Sequence, residues 1–299
     1  MSRAAGRDVA LPFILVTLIW SSTWIVIRDQ IGVVPSSWSI CYRFLVAGLA
    51  MGTFAAARGM SLRLPREGML FAAVLGLTQF ALNFNFVYRA EHYLTSGVVA
   101  TAYALLLIPN SLLSWIAFRQ PVSRSFMLGS LLAIGGIALL LLREYRSVPV
   151  TGDAVLLGVG LCAAGLFSVS IANIMQGMQI ARRLPMVPVL TWAMLIGSLF
   201  DAAFAWTTSG PPMMEWRAGY LLGVAWLGIA ASFVTFPLYF RLIQQIGAGP
   251  AAYTSVLIPV IAMLISTLAE GYRWTTLSIA GALLAVAGMV IALRAKQSA

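Results

Sequence analysis

Charge is what this sequence has least of. Lys, Arg, Asp and Glu make up 9% of its 299 residues, where a soluble domain carries roughly a quarter. A surface able to face water on all sides cannot be assembled from it. Histidine occurs once, as His92, and cysteine twice, as Cys41 and Cys162. Both cysteines lie in apolar runs and read as small packing residues, so a disulfide or metal framework is not implied. No CxxC, HExxH, P-loop or GxSxG pattern is present. Machinery for ATP hydrolysis, metal-assisted hydrolysis or serine chemistry is therefore missing, and neither a metal nor a cofactor is called for.

What remains is apolar: 61% of the chain, with a mean hydropathy of +0.92. The long charge-free runs point to helices, because a membrane barrel would show short alternating segments. Ten runs can span a bilayer: residues 9–27, 36–57, 68–88, 94–118, 124–142, 153–175, 186–207, 218–240, 249–269 and 275–293. Short connectors bearing Pro35, Pro65, Pro121 and Pro211-Pro212 separate them. The first run follows Arg3 and Arg7, as a signal peptide would. It continues through Trp24 with bulky residues and no small-residue cleavage site, so it reads as an uncleaved span. The expected fold class is an all-α polytopic membrane protein with the lipid bilayer as its solvent.

The formal charge of +10 follows topology. With the N-terminus in the cytoplasm, twelve basic residues fall on the inner side: Arg3, Arg7, Arg58, Arg63, Arg66, Arg119, Arg124, Arg182, Arg183, Arg241, Arg294 and Lys296. Only Asp8 and Glu67 oppose them there. The outer side carries seven bases and seven acids. The imbalance obeys the positive-inside rule, places both termini in the cytoplasm, and gives no reason to expect nucleic acid as a partner.

The halves repeat. Gly97–Pro109 reads GVVATAYALLLIP and Gly247–Pro259 reads GAGPAAYTSVLIP, with six identities at an offset of 150. Residues 1–146 and 147–299 each hold five spans. Five is odd, so the second half enters the membrane from the opposite side and the repeats are inverted, an arrangement that suits alternating access.

LIWSSTWIVIR (Leu18–Arg28) resembles the opening motif of the drug/metabolite transporter superfamily, and YRFLVAGL (Tyr42–Leu49) its second-helix motif. RLIQQIGAGPAAYTSVLIPV (Arg241–Val260), Glu270 and GALLAVAGMVIAL (Gly281–Leu293) resemble the close of an EamA repeat. Within the family the chain is most similar to the YddG-type bacterial amino-acid exporters. Ser21 stands where the family has glycine, and Gln120 stands in the first half where the second has Glu270. The resemblance implies ten helices in two inverted EamA repeats, cytoplasmic termini, and export of small metabolites across a bacterial inner membrane.

Several residues can carry such work. Pro109, Pro237 and Pro259 sit within spans and each removes one helical N–H, so each is a static kink or a hinge. Thr17, Ser21 and Trp24 share a face of the first span with Trp20 close by. Gln79, Asn83 and Tyr88 mark the third span, Tyr103 the fourth, Asn173 the sixth, Trp226 and Tyr239 the eighth, and Tyr253 the ninth. Polar tips shun lipid, so these face another helix or a substrate path. Arg43 reads as a structural anchor. Asp201 is the acid deepest in a span and, with His92, a candidate for ion coupling; Glu91, His92 and Glu270 are expected to be solvated at span ends. Gly129/Gly136 and Gly281/Gly288 repeat a seven-residue spacing, which makes one close-packing face: an internal seam or a contact between copies. The oligomeric state is left open.

These readings converge on an exporter of small amphipathic metabolites, amino acids foremost, aromatic or other neutral ones included. The alternatives are an exporter of drugs or quaternary cations with the same fold, and a membrane-embedded transferase. The transferase would need a catalytic acid–base cluster at one interface, and Glu91-His92 has no partner visible in sequence.

Overall fold

With no water in the bilayer core, backbone N–H and C=O groups must pair within their own segment, which leaves helices as the economical solution for apolar runs. The computed structural model describes residues 3–119, 124–147, 152–246 and 254–297. Among these, all regular elements are helical. Seven stretches are long and apolar enough to cross a membrane: Val9–Asp29, Ser36–Ala57, Arg66–Ala90, Ser96–Ala117, Asp153–Gly177, Met186–Ser209 and Ala218–Leu242. Arg124–Leu140, Leu257–Ala269 and Thr276–Ala292 are apolar but shorter. The chain is a multi-span membrane protein.

In chain order, α1 is Arg3–Asp29 and α2 is Ser36–Ala57. The next rod is composite: α3 (Arg66–Leu75), a π-helical segment (Gly76–Leu82) and α4 (Asn83–Ala90). So is the one after it: α5 (Ser96–Tyr103), a 3-10 turn (Ala104–Leu106) and α6 (Leu107–Phe118). Then follow α7 (Arg124–Ser147), α8 (Gly152–Gly177), the short α9 (Gln179–Arg183) and α10 (Met186–Ser209). A third composite rod comprises α11 (Ala218–Ala225), a second π segment (Trp226–Val234) and α12 (Thr235–Ile246). The chain ends with α13 (Thr254–Ala269) and α14 (Thr276–Gln297).

Punctuation in the sequence sets the boundaries. Pro35, Pro65 and Pro185 each stand at the residue before a helix, where an absent N–H breaks no bond. Gly210 and Gly271 follow helix ends with φ of 84° and 67°, a region that disfavours a Cβ. Pro109 is the third residue of α6, directly behind the 3-10 turn, and Pro237 the third residue of α12, directly behind a π segment. Both therefore mark a change of helical type. Pro259 lies inside α13.

The π segments were not legible in the residue pattern. Each makes i→i+5 bonds and adds a residue to the turn, rotating everything beyond it. They start at Gly76 and at Trp226, 150 residues apart. Each also presses a glycine onto a neighbouring backbone. A Cβ at Gly76 would stand 2.5 Å from the carbonyl oxygen of Ala193 in α10, and one at Gly228 would stand 2.9 Å from that of Arg43 in α2.

Close glycine contacts also fix the seams. α2 packs along α10, with Gly48 against Leu195 and Gly52 against Thr191. α7 packs along α14. A Cβ at Gly281 would lie 2.8 Å from the carbonyl oxygen of Gly136, while Gly129 and Gly288 meet each other's backbones. The pairings run in opposite order along the two helices, so they are antiparallel. The Gly129/Gly136 and Gly281/Gly288 face is thus an internal seam, and that surface is already occupied within the chain. The main core lies between α1, α2, the first and third composite rods, α8 and α10, around Phe44, Phe80, Tyr88 and Met194.

Candidate functional site

Aromatic rings and polar tips meet where α1 passes the composite rods. Trp20 and Trp24 are four residues apart on α1 and share a face. The Trp20 indole N–H donates to the Ala231 carbonyl oxygen at 3.1 Å and to Thr235 Oγ1 at 2.9 Å. Its ring lies 5.0 Å from Tyr239 and 5.7 Å from Phe236. The Trp24 ring lies 5.4 Å from Tyr103, and its buried indole nitrogen has no hydrogen-bond partner.

Tyr103 donates to Asn83 Oδ1 at 3.0 Å. Asn83 is the first residue of α4, directly after the π segment. The hydroxyl of Ser168 in α8 donates at 2.8 Å to the Thr78 carbonyl oxygen inside that segment. Beyond it, Asn173 Nδ2 donates to Asn110 Oδ1 at 3.3 Å, tying α8 to α6. Ser170 Oγ and Gln176 Nε2 on the same helix are buried without partners. Gln79 is half-buried within the π segment.

Arg43 is the buried cation of this core, 2% exposed. Its Nε donates to Ser232 Oγ at 3.2 Å, and its guanidinium lies 4.2 Å from the Phe84 ring centre and 5.0 Å from that of Phe44. Its Nη1 has no partner, and among the described residues no carboxylate comes within ion-pair distance of it. Tyr88, fully buried beside it, donates to Gln30 Oε1 at 2.8 Å. Cation–π contact and the Ser232 and Tyr88 hydroxyls offset only part of the cost of burying this charge.

Asp201 belongs to a different cluster. Its Oδ1 accepts from Asn85 Nδ2 at 2.6 Å, Asn85 Oδ1 accepts from Ser37 at 2.6 Å and from Arg89 at 3.1 Å, and Asp201 Oδ2 is buried without a partner. This group joins α2, α4 and α10, apart from the tryptophans.

The expectation of solvated acids at the span ends is corrected for two of them. Glu91 is 0% exposed and neither carboxylate oxygen has a partner. Glu270 is 12% exposed and accepts from Ser96 Oγ at 2.6 Å, from the Ser96 N–H at 3.4 Å and from Ser266 Oγ. Arg28 lies 3.8 Å from Glu270 and donates to the backbone carbonyl of Glu91. Burial, with the Glu270 charge beside it, pushes the Glu91 carboxyl well above the usual carboxylate range, against the pull of Arg28. His92 is at the surface, 3.3 Å from Ser36 Oγ. Partial desolvation and the Arg28 and Arg89 cations hold its imidazole below the ordinary value.

The structure thus brings together Trp20, Trp24, Asn83, Tyr103 and Tyr239, with Asn173 further along α8. Ser21 is buried and spends its hydroxyl on the Thr17 carbonyl of its own helix. Trp226 is exposed and donates to Ser22 Oγ at 3.0 Å, away from Tyr103. Tyr253 lies outside the described residues. Sequence reasoning missed Gln30, Asn85 and Asn110, and also Gly165 of α8, where a Cβ would meet the Tyr103 hydroxyl. Only the four-residue spacing of Asn85 and Arg89 gave a signal, because the partners of the others are far off in sequence.

The EamA-like transporter family model matches this chain twice, over residues 9–142 and 156–294. The chain is 23% identical over 295 residues to protein PagO of Salmonella typhimurium, covering 97% of this chain and 94% of that protein. It is 24% identical over 276 residues to the uncharacterized inner membrane transporter YedA of Escherichia coli K12, covering 84% and 79%. A solved crystal structure shares the fold with a TM-score of 0.71 at 19% identity, each chain covered to 99%.

Proposed function

Since the chain belongs to the EamA-like transporter family, and is a membrane transporter rather than an enzyme, we propose that it exports small metabolites, amino acids foremost, across a bacterial inner membrane. Ten spans, arranged as two inverted five-helix repeats (residues 1–146 and 147–299), would rock about a central site, with both termini cytoplasmic. Three observations support that arrangement: the doubled family match, the 150-residue offset of the π segments, and the basic excess on one face. The Arg28–Glu91–Glu270 end is then the outer one.

The observation that carries the substrate class is an excess of buried donors. Among the described residues Trp24 Nε1 and Arg43 Nη1 have no acceptor, and no carboxylate lies within ion-pair distance of Arg43. Unpaired buried donors favour a solute rich in acceptors, and an unpaired cation favours a carboxylate. Trp20, Trp24, Tyr103 and Tyr239 offer ring faces for its apolar side chain. Helices α4, α5, α6, α12 and α13, with parts of α1 and α8, would line the path, Pro109, Pro237 and Pro259 serving as hinges and Tyr253 adding its ring. A quaternary-cation exporter would want an ionised acid among these rings; Asp201 stands elsewhere, bonded to Asn85, and Glu91, the acid that acts on Tyr103, is buried with no hydrogen bond to hold its charge.

Uptake of a labelled amino-acid panel into liposomes bearing the purified protein tests the proposal. Accumulation of carboxylate-bearing solutes is expected; transport of quaternary cations alone would transfer the assignment to the rival.

A further inference from the structure

The Arg28 end holds two carboxylates, Glu91 and Glu270, beside the Arg28 cation. Arg28 faces Glu270 at 3.8 Å, and its Nη1 is committed to the backbone carbonyl of Glu91 instead of the carboxylate. Glu270 is further held by two serine hydroxyls and a backbone N–H. Both of its carboxylate oxygens therefore have hydrogen-bond donors. Glu91 has none of this: its carboxyl is fully buried and both oxygens lack partners. The groups that act on it electrostatically are Arg28 of α1, Glu270 beyond α13, Tyr88 of α4, Tyr103 of α5 and Cys162 of α8. His92 follows it at the surface. An ionised Glu91 would add a second negative charge beside Glu270, out of water and without a hydrogen bond.

We propose that Glu91 is a proton-binding site, carrying a proton in the closed form of this end and giving it to water when the Arg28–Glu270–Ser96 latch opens. The balance is simple. Opening wets the carboxyl, the O–H bond breaks, the proton leaves to solvent, and the carboxylate pairs with an Arg28 freed from the Glu91 carbonyl. Closure takes one proton back. Low pH on this side therefore favours the closed form. The residue reached from Glu270 by the 150-residue offset in sequence is Gln120, which cannot ionise. Because the carboxyl also faces Tyr103, its charge is felt at the ring that joins Asn83 to Trp24.

The link to transport rests on the function proposed above; the proton site does not. Infrared spectroscopy of the purified protein in nanodiscs at near-neutral pH tests the site directly. A protonated-carboxyl stretch is expected, lost in Glu91→Gln and kept in Asp201→Asn. Retention of the whole band in Glu91→Gln overturns the proposal. Should that variant be unstable, Glu270→Gln serves instead: removing the neighbouring charge shifts loss of the band to lower pH, and an unchanged titration overturns the proposal. In liposomes, uptake is expected to fall severalfold as the pH on the Glu91 face is lowered, and Glu91→Gln to be flat across that range. A wild-type pH profile in the variant overturns the coupling. The band without any transport would sink the transporter reading and leave the proton site standing.

Discussion

The hydroxyl of Tyr103 occupies the space that a side chain at Gly165 would fill. An alanine there would collide with the oxygen, while the Cζ atom lies 3.1 Å away. Gly165→Ala is therefore expected to expel the phenol, break its bond to Asn83, lower stability by about 1–3 kcal/mol and reduce uptake. Tyr103→Phe removes the colliding atom. The double variant should regain most of the stability and none of the hydrogen bond, a coupling readable from melting curves of the two single variants and the pair.

Arg43 separates charge from packing. Arg43→Met keeps a long side chain over Phe84 and removes the uncompensated cation. Uptake of amino acids is expected to fall on the order of ten- to a hundredfold, the loss of a hydrogen bond to a charged group. The melting temperature should hold or rise, since an unmatched buried charge is relieved. Uptake of the corresponding amino-acid amides, which lack the carboxylate, should change little. Equal losses for acids and amides would return Arg43 to the role of anchor.

Neighbouring glycines on α7 should behave oppositely. A Cβ at Gly136 would run into the backbone of Ala285 and Gly281, and backbone cannot step aside. At Gly135 the nearest atom is Leu284 Cδ2, 3.7 Å away, an ordinary contact. Gly136→Ala should cost about 1–3 kcal/mol. Gly135→Ala should be neutral or stabilise by about 1 kcal/mol through helix propensity. Thermal unfolding in detergent distinguishes them.

Stability should also depend on pH through Glu91. A carboxyl whose folded value is raised binds more protons folded than unfolded. Its contribution is fully present below the unfolded value of about 4.3 and is lost as pH rises through the folded one. The slope is about −1.4 kcal/mol per pH unit for one proton. Wild type should lose stability on that alkaline approach relative to Glu91→Gln, in parallel melting series.

What the sequence made legible was whatever is periodic or statistical. The apolar runs anticipated the helices, with 124–142 opening at the first residue of Arg124–Ser147, and the glycine spacing anticipated a close seam. Trp24, Asn83 and Tyr103 were singled out by being polar-tipped in lipid-length runs. What stayed hidden depends on contacts across the fold. Nothing in GLTQFAL announces a π segment, and Asn85 meets Asp201 across 116 residues. Glu91 was misplaced because it lies one residue past Ala90, the end of its span. Distance along a helix says nothing about the neighbours that close over its end.

The matching π segments also bear on ancestry. A π turn is what remains when one residue is inserted into an α-helix that keeps both of its ends packed. In two halves copied from one, an insertion made after copying would leave one half with the extra residue and the other without it. Gly76 and Trp226 open their segments at the same 150-residue interval that separates Tyr103 from Tyr253. On the proposed reading of the chain as two five-helix repeats, the insertion is older than the doubling: their common ancestor would already have carried the irregular turn, kept in both halves while most side chains diverged.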